Sequence, residues 1–483
     1  MNRHNFLGHL TLALAVIMVA AFIGQMRSWE KERIARPAQT GSTIRLGDQA
    51  GAIQIDQSGE AEVLVRFKRG ISEEQIETVV RGFDDIIEDE IEAVDGLAVI
   101  SDADGLDAAE IDAYRALRIV EYIEPNFDIN LVEPELGDDT DSEINDDFEV
   151  TEMIGRSGAA PNDPQFAEQW ALNNTGQRNG KHKADIDALK AWGKTHGSDK
   201  VVVAVLDSGV DYTHPDLISN MWVRPDGLAP YVDAQLGEID DLHGYNAAEN
   251  NGDPMDDNGH GTHCAGIVGA EGDNGEGIAG VNWKVEIMPL KFMSAGGFGT
   301  TKDAIEAINY VIARKKAGVN VRVISASWGS TQRSRALEDV IRKAGEEGVL
   351  FVAASGNSNA NTDRVPHFPS SYNLPNVISI AAMNRNDELA SFSNYGPKSV
   401  HLAAPGVEIL STWLNGQYKE ASGTSMATPV VSGVAALILS NENDLSVKEL
   451  RERLLKSVDK IDRLQDKTVS GGRINAALAV KDN

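Results

Sequence analysis

Four polar side chains stand out by their settings. Asp207 closes the apolar run of "VVVAVLDSGVD", His260 lies in "DDNGHGTHCAGIVGA", Asn357 ends "VAASGN", and Ser425 follows Gly-Thr in "SGTSMATPVVSGVAAL". Taken singly, each has an ordinary reading as a turn residue or a helix cap. His260 and His263 also resemble half a metal site, but zinc needs further ligands and the glutamate of an H-E-x-x-H helix is absent. Taken together they hold the parts for acyl transfer. A serine hydroxyl is a weak nucleophile until a base within reach takes its proton. Histidine, with an ordinary pKa of about 6.5, takes such a proton and returns it to a leaving group. A carboxylate fixes the imidazole tautomer and stabilises its charged form. A helix N-terminus and a side-chain amide supply donors to a developing oxyanion. Pro429 suits this reading, because its missing N–H falls in the first turn of the helix that follows Ser425.

The chain order Asp207, His260, Ser425 is the order of subtilisin triads. With the boxes "VLDSGV", "GHGTHCAG" and "GTSMATP", the stretch from about Pro161 to the C-terminus resembles the subtilase family of serine endopeptidases. The resemblance implies Asn357 as the second oxyanion donor. It implies a groove for the residue before the cut bond, with Ser327, Trp328 and Gly329 of "SASWGS" on one side and Gly356 opposite. It also implies that "SAGGFG", with Gly297, is an edge that pairs with an extended peptide. A structural calcium is implied at Asp163, Asp216 and Asn274, whose oxygens suit that ion, and no organic cofactor. His263 is assigned to structure, and Cys264, four residues after His260, shares its helix face. An esterase of the α/β-hydrolase type would want G-x-S-x-G and the order Ser-Asp-His, neither of which is present. A silent, binding-only relative is opposed by the complete set of four residues.

These residues need a scaffold. From Pro161 onward the runs "KVVVAVLD", "VRVISASWG", "VLFVAASGN" and "NVISIAAM" alternate with helical stretches such as "TKDAIEAINYVIARKKAG". Apolar strands separated by helices predict an α/β, doubly wound, mostly parallel sheet with helices on both faces. Its active groups belong at the carboxyl ends of strands. Ahead of it, "EVLVRFKRG", "SEEQIETVVRGF" (Ser72 and Gln75 as a capping box), "GLAVIS", "DAAEIDAYRAL" and "RIVEYIEPN" predict a small ferredoxin-like α+β unit. That unit resembles the family's inhibitory propeptide. The expected divisions are 1–27, a signal peptide or membrane anchor; 28–59, a linker; 60–132, the propeptide; 133–159, an acidic linker; and 160–483, the catalytic domain. The leader reading rests on a basic start and the apolar run from Leu10 to Ile23. It places the rest of the chain outside the cytoplasm.

The 483 residues carry a formal charge of −30, unevenly spread. Residues 1–159 hold 13 basic and 34 acidic groups, and residues 160–483 hold 31 and 40. No basic footprint is present, which excludes nucleic acid as a partner. The single cysteine excludes an internal disulfide. Residues 201–300 contain 16 acidic and 3 basic groups, an excess that steers cationic peptides toward Asp207 and His260 or, alternatively, serves cation sites. The expected partners are polypeptide substrates with basic residues and the chain's own propeptide. Membrane contact is expected only through the N-terminal segment, and the mature form is expected to be a monomer.

Overall fold

The computed structural model describes residues 61–102, 106, 108–131 and 160–481. The leader and both linkers lie outside these residues. The N-terminal unit starts with β1 (Ala61–Phe67) and α1 (Glu73–Arg81), whose capping box joins Ser72 and Gln75. It continues through β2 (Ile86–Glu90), β3 (Leu97–Asp102), α2 (Ala108–Ala116) and β4 (Val120–Pro125). The four strands form an antiparallel sheet in the order β2-β3-β1-β4, the ferredoxin-like arrangement. β2, "IIEDE", is a strand that the apolar pattern alone does not single out, since most of its side chains are acidic. Alternation along β1 divides the sheet's two faces. Val63, Val65 and Phe67 pack under α1 and α2. Leu64, with Leu97, Val99 and Tyr122, joins an apolar cluster shared with the larger domain.

After a short β5 (Asp128–Asn130) and α3 (Ala188–Trp192), the larger domain is built on β6 (Gly197–Asp207). The sequence then gives the hairpin β7 (Tyr231–Asp233) and β8 (Gly237–Ile239), followed by β9 (Tyr245–Asn246), α4 (His260–Gly269) and β10 (Lys284–Lys291). Next come β11 (Phe298–Thr300), α5 (Thr301–Lys316), β12 (Val321–Ala326), α6 (Arg335–Glu346) and β13 (Leu350–Ala354). The chain ends through β14 (Val377–Met383), β15 (Leu402–Pro405), the hairpin β16 (Ile409–Trp413) and β17 (Gln417–Ala421), α7 (Thr424–Asn441), α8 (Val447–Lys456), β18 (Val458–Lys460), β19 (Gly472–Ile474) and α9 (Ala476–Ala479).

Nine of these strands form one sheet, ordered β18-β19-β15-β14-β13-β12-β6-β10-β9. Every pairing in it is parallel except that of β18 with β19. β6 shows why both faces are covered. Val201, Val203 and Val205 point into the cluster that holds α4 and α7, while Val202, Ala204 and Leu206 point into the cluster that holds α5 and α6. From β6 the chain first winds toward β10 and then returns to β12 on the other side. That change of direction leaves a crevice at the strands' carboxyl ends, where ligands bind in open parallel sheets. Asp207 ends β6, Ser327 follows β12, and Asn357 comes three residues after β13.

Candidate active site

The site starts from the buried end of β6. Asp207 is fully buried, and its Oδ1 accepts hydrogen bonds from the Ser208 N–H at 2.8 Å and from His260 Nδ1 at 2.7 Å. With Nδ1 donating to a carboxylate, Nε2 is left as the basic nitrogen. His260 is the first residue of α4, and the carboxylate of Asp256 fixes that helix start. Asp256 Oδ1 accepts from the N–H groups of Asn258 and Gly259 and from Ser208 Oγ; its Oδ2 accepts from the N–H and hydroxyl of Thr262. Gly259 adopts φ +105°, and a Cβ there would sit 2.5 Å from the Trp413 ring. Only glycine therefore lets the chain enter the helix at this angle. Below the pair, Lys291 is buried, with Nζ donating to the carbonyls of Ser208 and Met293 and to Asp257.

Ser425 is the second residue of α7, and its hydroxyl donates to the Ser327 carbonyl at 3.0 Å. Because the helix starts at Thr424, Pro429 lies inside it and not in its first turn as expected, and the Ser425 carbonyl four residues earlier accepts from Ser327 Oγ instead. Asn357 Oδ1 accepts both the N–H and the hydroxyl of Thr424, each at 2.9 Å. With its oxygen held there, the Nδ2 end of the amide faces the other way. A Cβ built on Gly423 would lie 3.5 Å from that nitrogen and 3.4 Å from the Ser425 nitrogen. The amide thus stands beside the start of α7, where free N–H groups and the helix dipole favour negative charge. Cys264 lies underneath, fully buried, with its Sγ 3.6 Å from the Ser425 carbonyl. One ligand atom each from Asp207, His260 and Cys264 lie within 4.8 Å of one another. Burial raises the thiol pKa well above its ordinary value. His263 donates from Nε2 to the Lys419 carbonyl at 2.9 Å, and burial lowers its pKa to about 3. It is a core histidine.

The groove expectation needs one correction. The Trp328 side chain is 3 % exposed, packs against Phe292 and Phe351, and donates its indole N–H to the Leu206 carbonyl at 2.9 Å. Its apolar area and its N–H are both satisfied in the core, so only its backbone is left for a groove. A residue that sequence reasoning missed lies there instead. A Cβ on Gly329 would come within 2.2 Å of His367 Cε1, and one on Gly356 within 2.9 Å of His367 Cδ2. The imidazole of His367 therefore fills the space between the two glycines, and burial lowers its pKa to about 4. No spacing signal links residue 367 to either wall. Asp256 and Thr424 were missed for a similar reason, although an acid three residues ahead of Gly259 is a recognisable cap signature.

The edge at Gly297 is occupied by the chain itself. β5 pairs antiparallel with β11, aligning Asn130 with Phe298 and Asp128 with Thr300, and the Leu131 N–H donates to the Gly297 carbonyl at 2.9 Å. Just before, Glu124 accepts from Ser334 Oγ and the N–H groups of Arg335 and Ala336 at the start of α6. Asn126 Oδ1 and the Phe127 carbonyl take the first N–H groups of α5.

The three residues expected to hold calcium do meet. Asn274 Nδ2 donates to Asp216 Oδ1 at 2.9 Å, and the Asp163 carboxylate accepts from the N–H groups of Asp273 and Asn274. Asp216 is fully buried, and burial, with a contribution from Asp163, raises its pKa to about 6. Two carboxylates and a side-chain amide meet here, and their oxygens are of the kind a hard cation takes.

A serine, a histidine held by a buried carboxylate, and paired donors at a helix start define a serine hydrolase site on a doubly wound α/β scaffold. Residues 198–472 match the subtilase family of peptidase S8. The chain belongs to that family and is a subtilisin-like serine endopeptidase. It is 38% identical to a thermophilic serine proteinase of Bacillus sp. (strain AK1), over 65% of this chain and 70% of that protein. It is 35% identical to thermitase of Thermoactinomyces vulgaris, over 66% and 99%. Other relatives extend well beyond the matched part: the chain covers 52% of a halolysin-like extracellular serine protease of Natrialba magadii and 22% of subtilisin-like protease 2 of Plasmodium falciparum. Among solved structures, a Pseudoalteromonas arctica protease superposes with a TM-score of 0.54 at 29% identity, covering 67% of this chain and 99% of that one.

Proposed function

We propose that the protein is an exported endopeptidase that cuts polypeptides through an acyl-enzyme on Ser425 and is made as a zymogen. His260 takes the Ser425 proton as Oγ attacks the scissile carbonyl, then gives it to the leaving amine. Asp207 holds the Nδ1 proton and stabilises the imidazolium. The oxyanion is met by the Asn357 amide and the N–H groups at the start of α7. The backbones of Ser327 and Gly329, with Gly356 opposite, line the approach of the residue before the cut bond, whose depth is limited by His367 between the two glycines, and Gly297 lines the edge for the preceding residues. What carries this reading is the 2.7 Å bond from His260 to a fully buried Asp207, because a carboxylate on Nδ1 fixes the ring's tautomer and makes Nε2 the basic nitrogen. Residues 60–132 act as the inhibitor, a role supported by their strand lying along the Gly297 edge. Export rests on the N-terminal apolar run, and calcium on the donor set of Asp163, Asp216 and Asn274, which would crosslink two loops and neutralise their charge.

A fluorophosphonate probe tests the nucleophile. It should label the mature protein once, and Ser425→Ala should abolish labelling and peptide hydrolysis and leave the precursor uncut. Labelling that persists in Ser425→Ala would reassign the nucleophile.

A further inference from the structure

A second carboxylate cluster lies on the seam between the N-terminal unit and the larger domain. Asp89 of β2, Asp233 at the end of β7 and Glu306 of α5 each place one oxygen within 4.8 Å of the others. They are 8 %, 2 % and 2 % exposed. Asp89 and Glu306 are in hydrogen-bond contact, carboxyl to carboxyl. Asp233 is held for this position, since its Oδ1 accepts the N–H groups of Gln235 and Leu236 in the β7–β8 turn. Of the basic groups of α5, Lys302 pairs with Glu62 and also lies close enough to act on Asp89, while Arg314 pairs with Asp241.

An independent feature points at the same spot. Tyr245 is 1 % exposed, and its hydroxyl has no hydrogen-bond partner among the described residues. The acidic groups that act on it most strongly are Glu306, Asp233 and Asp89, in that order. Glu306 Oε1 also lacks a partner. A buried oxygen without a partner is costly, and a buried carboxylate more so. Here two such oxygens belong to an all-oxygen group of three acids and a phenol. We infer that Asp89, Asp233 and Glu306, with the Tyr245 hydroxyl beside them, bind a hard divalent cation of the calcium type that clips the N-terminal unit to the protease domain. Asp233 and Glu306 offer half a site on the domain, and docking of β2 brings Asp89 to complete it. The ion binds the docked state better than the separated one, so it strengthens docking by mass action, about tenfold for each tenfold excess over its dissociation constant. The site is a property of the uncut chain; only its consequence for latency rests on the zymogen reading.

The test uses full-length Ser425→Ala, stripped of metal, and the same protein carrying Asp89→Asn or Glu306→Gln. Calcium is titrated and bound ions are counted by equilibrium dialysis, with hydrogen exchange followed across residues 61–131. The parent should bind one more ion than either variant, and calcium should slow exchange in that segment at least tenfold in the parent only. Asp216→Ala, which touches the other candidate site, should leave that protection in place. Terbium excited through tyrosine should luminesce in the parent and lose that component in Tyr245→Phe. Equal ion counts and equal protection in parent and variants would overturn the inference. Protection that grows on acidification and ignores calcium would overturn it too, by showing that shared protons bridge the carboxylates. If the mature wild-type protein retains residues 61–131 on N-terminal sequencing, the zymogen reading fails while the ion count still decides the site.

Discussion

Asn357 has its carbonyl oxygen bound to Thr424 twice over, so its amide nitrogen has a fixed direction. Asn357→Leu should lower kcat by about 10²–10³ with KM little changed, the range seen when such a donor is removed from a subtilisin. Steady-state kinetics on one peptide substrate checks this, and an unchanged kcat would take Asn357 out of the oxyanion site. Cys264 makes a second residue-scale prediction. Its thiol is buried and its pKa raised, so it is a poor nucleophile at neutral pH. It nevertheless lies within 4.8 Å of ligand atoms of Asp207 and His260. A mercury reagent should inactivate the enzyme slowly and leave Cys264→Val active; equal inactivation of both would place the effect elsewhere. Asp207, His260, Asn357 and Ser425 could be proposed from the sequence because each sits in a short local motif. Thr424 and His367 were not, because their roles depend on partners brought close by folding. Trp328 was misplaced because a tryptophan in a groove motif and one in a core look alike until its indole partner, Leu206, is known.

Elements were legible where apolar pattern and caps agree, as in β6, β12, β13 and α5 with its Thr300–Asp303 capping box. β2 was missed because three of its five residues are acidic, and its pairing with β3 rather than its own propensity makes it a strand. The loop after α4 offers a test at this scale. It brings Asn274 against Asp216, whose pKa rises to about 6 because burial disfavours its charge. Between its ordinary pKa and about 6, the folded state binds more protons than the unfolded chain. Stability from this group is therefore present at low pH and falls as pH rises through that window. The loss approaches about 3 kcal/mol at an order-of-magnitude level. Metal-free protein should thus lose melting temperature from pH 4.5 to 7, and Asp216→Asn should flatten that part of the profile. Calcium should restore the loss at pH 7 in the parent but not in Asp216→Asn. Profiles that coincide for the parent and Asp216→Asn, with and without calcium, would remove both the burial penalty and the cation from this loop.

At the scale of the whole molecule, three of the contacts that join the N-terminal unit to the larger domain bear on the peptide edge. Apolar residues of its sheet, Leu64, Val99 and Tyr122, share a cluster with α5 and α6. Glu124 and Asn126 satisfy the first N–H groups of those helices, and their oxygens complement the positive helix ends. β5 then carries the chain along β11 to Gly297. The sequence suggested such a unit, its order and a C-terminal strand placed in the active cleft, but not that the same segment would cap two helices, since those contacts join residues far apart in the chain. The last of these contacts can be weakened alone. The Leu131 N–H donates to the Gly297 carbonyl, and Leu131→Pro removes that donor while Asn130, already extended in β5, meets the requirement proline places on the residue before it. A backbone hydrogen bond contributes about 1 kcal/mol net, so the segment should leave the edge about five times more readily. In an otherwise wild-type chain, active protease should appear correspondingly sooner after synthesis, followed by hydrolysis of a peptide substrate over time. Leu131→Val keeps the N–H and should behave like the parent. If Leu131→Pro and Leu131→Val mature at the same rate, the strand at β11 is not what closes the peptide edge, and the inhibitory contact must be sought in the helix caps and the apolar seam.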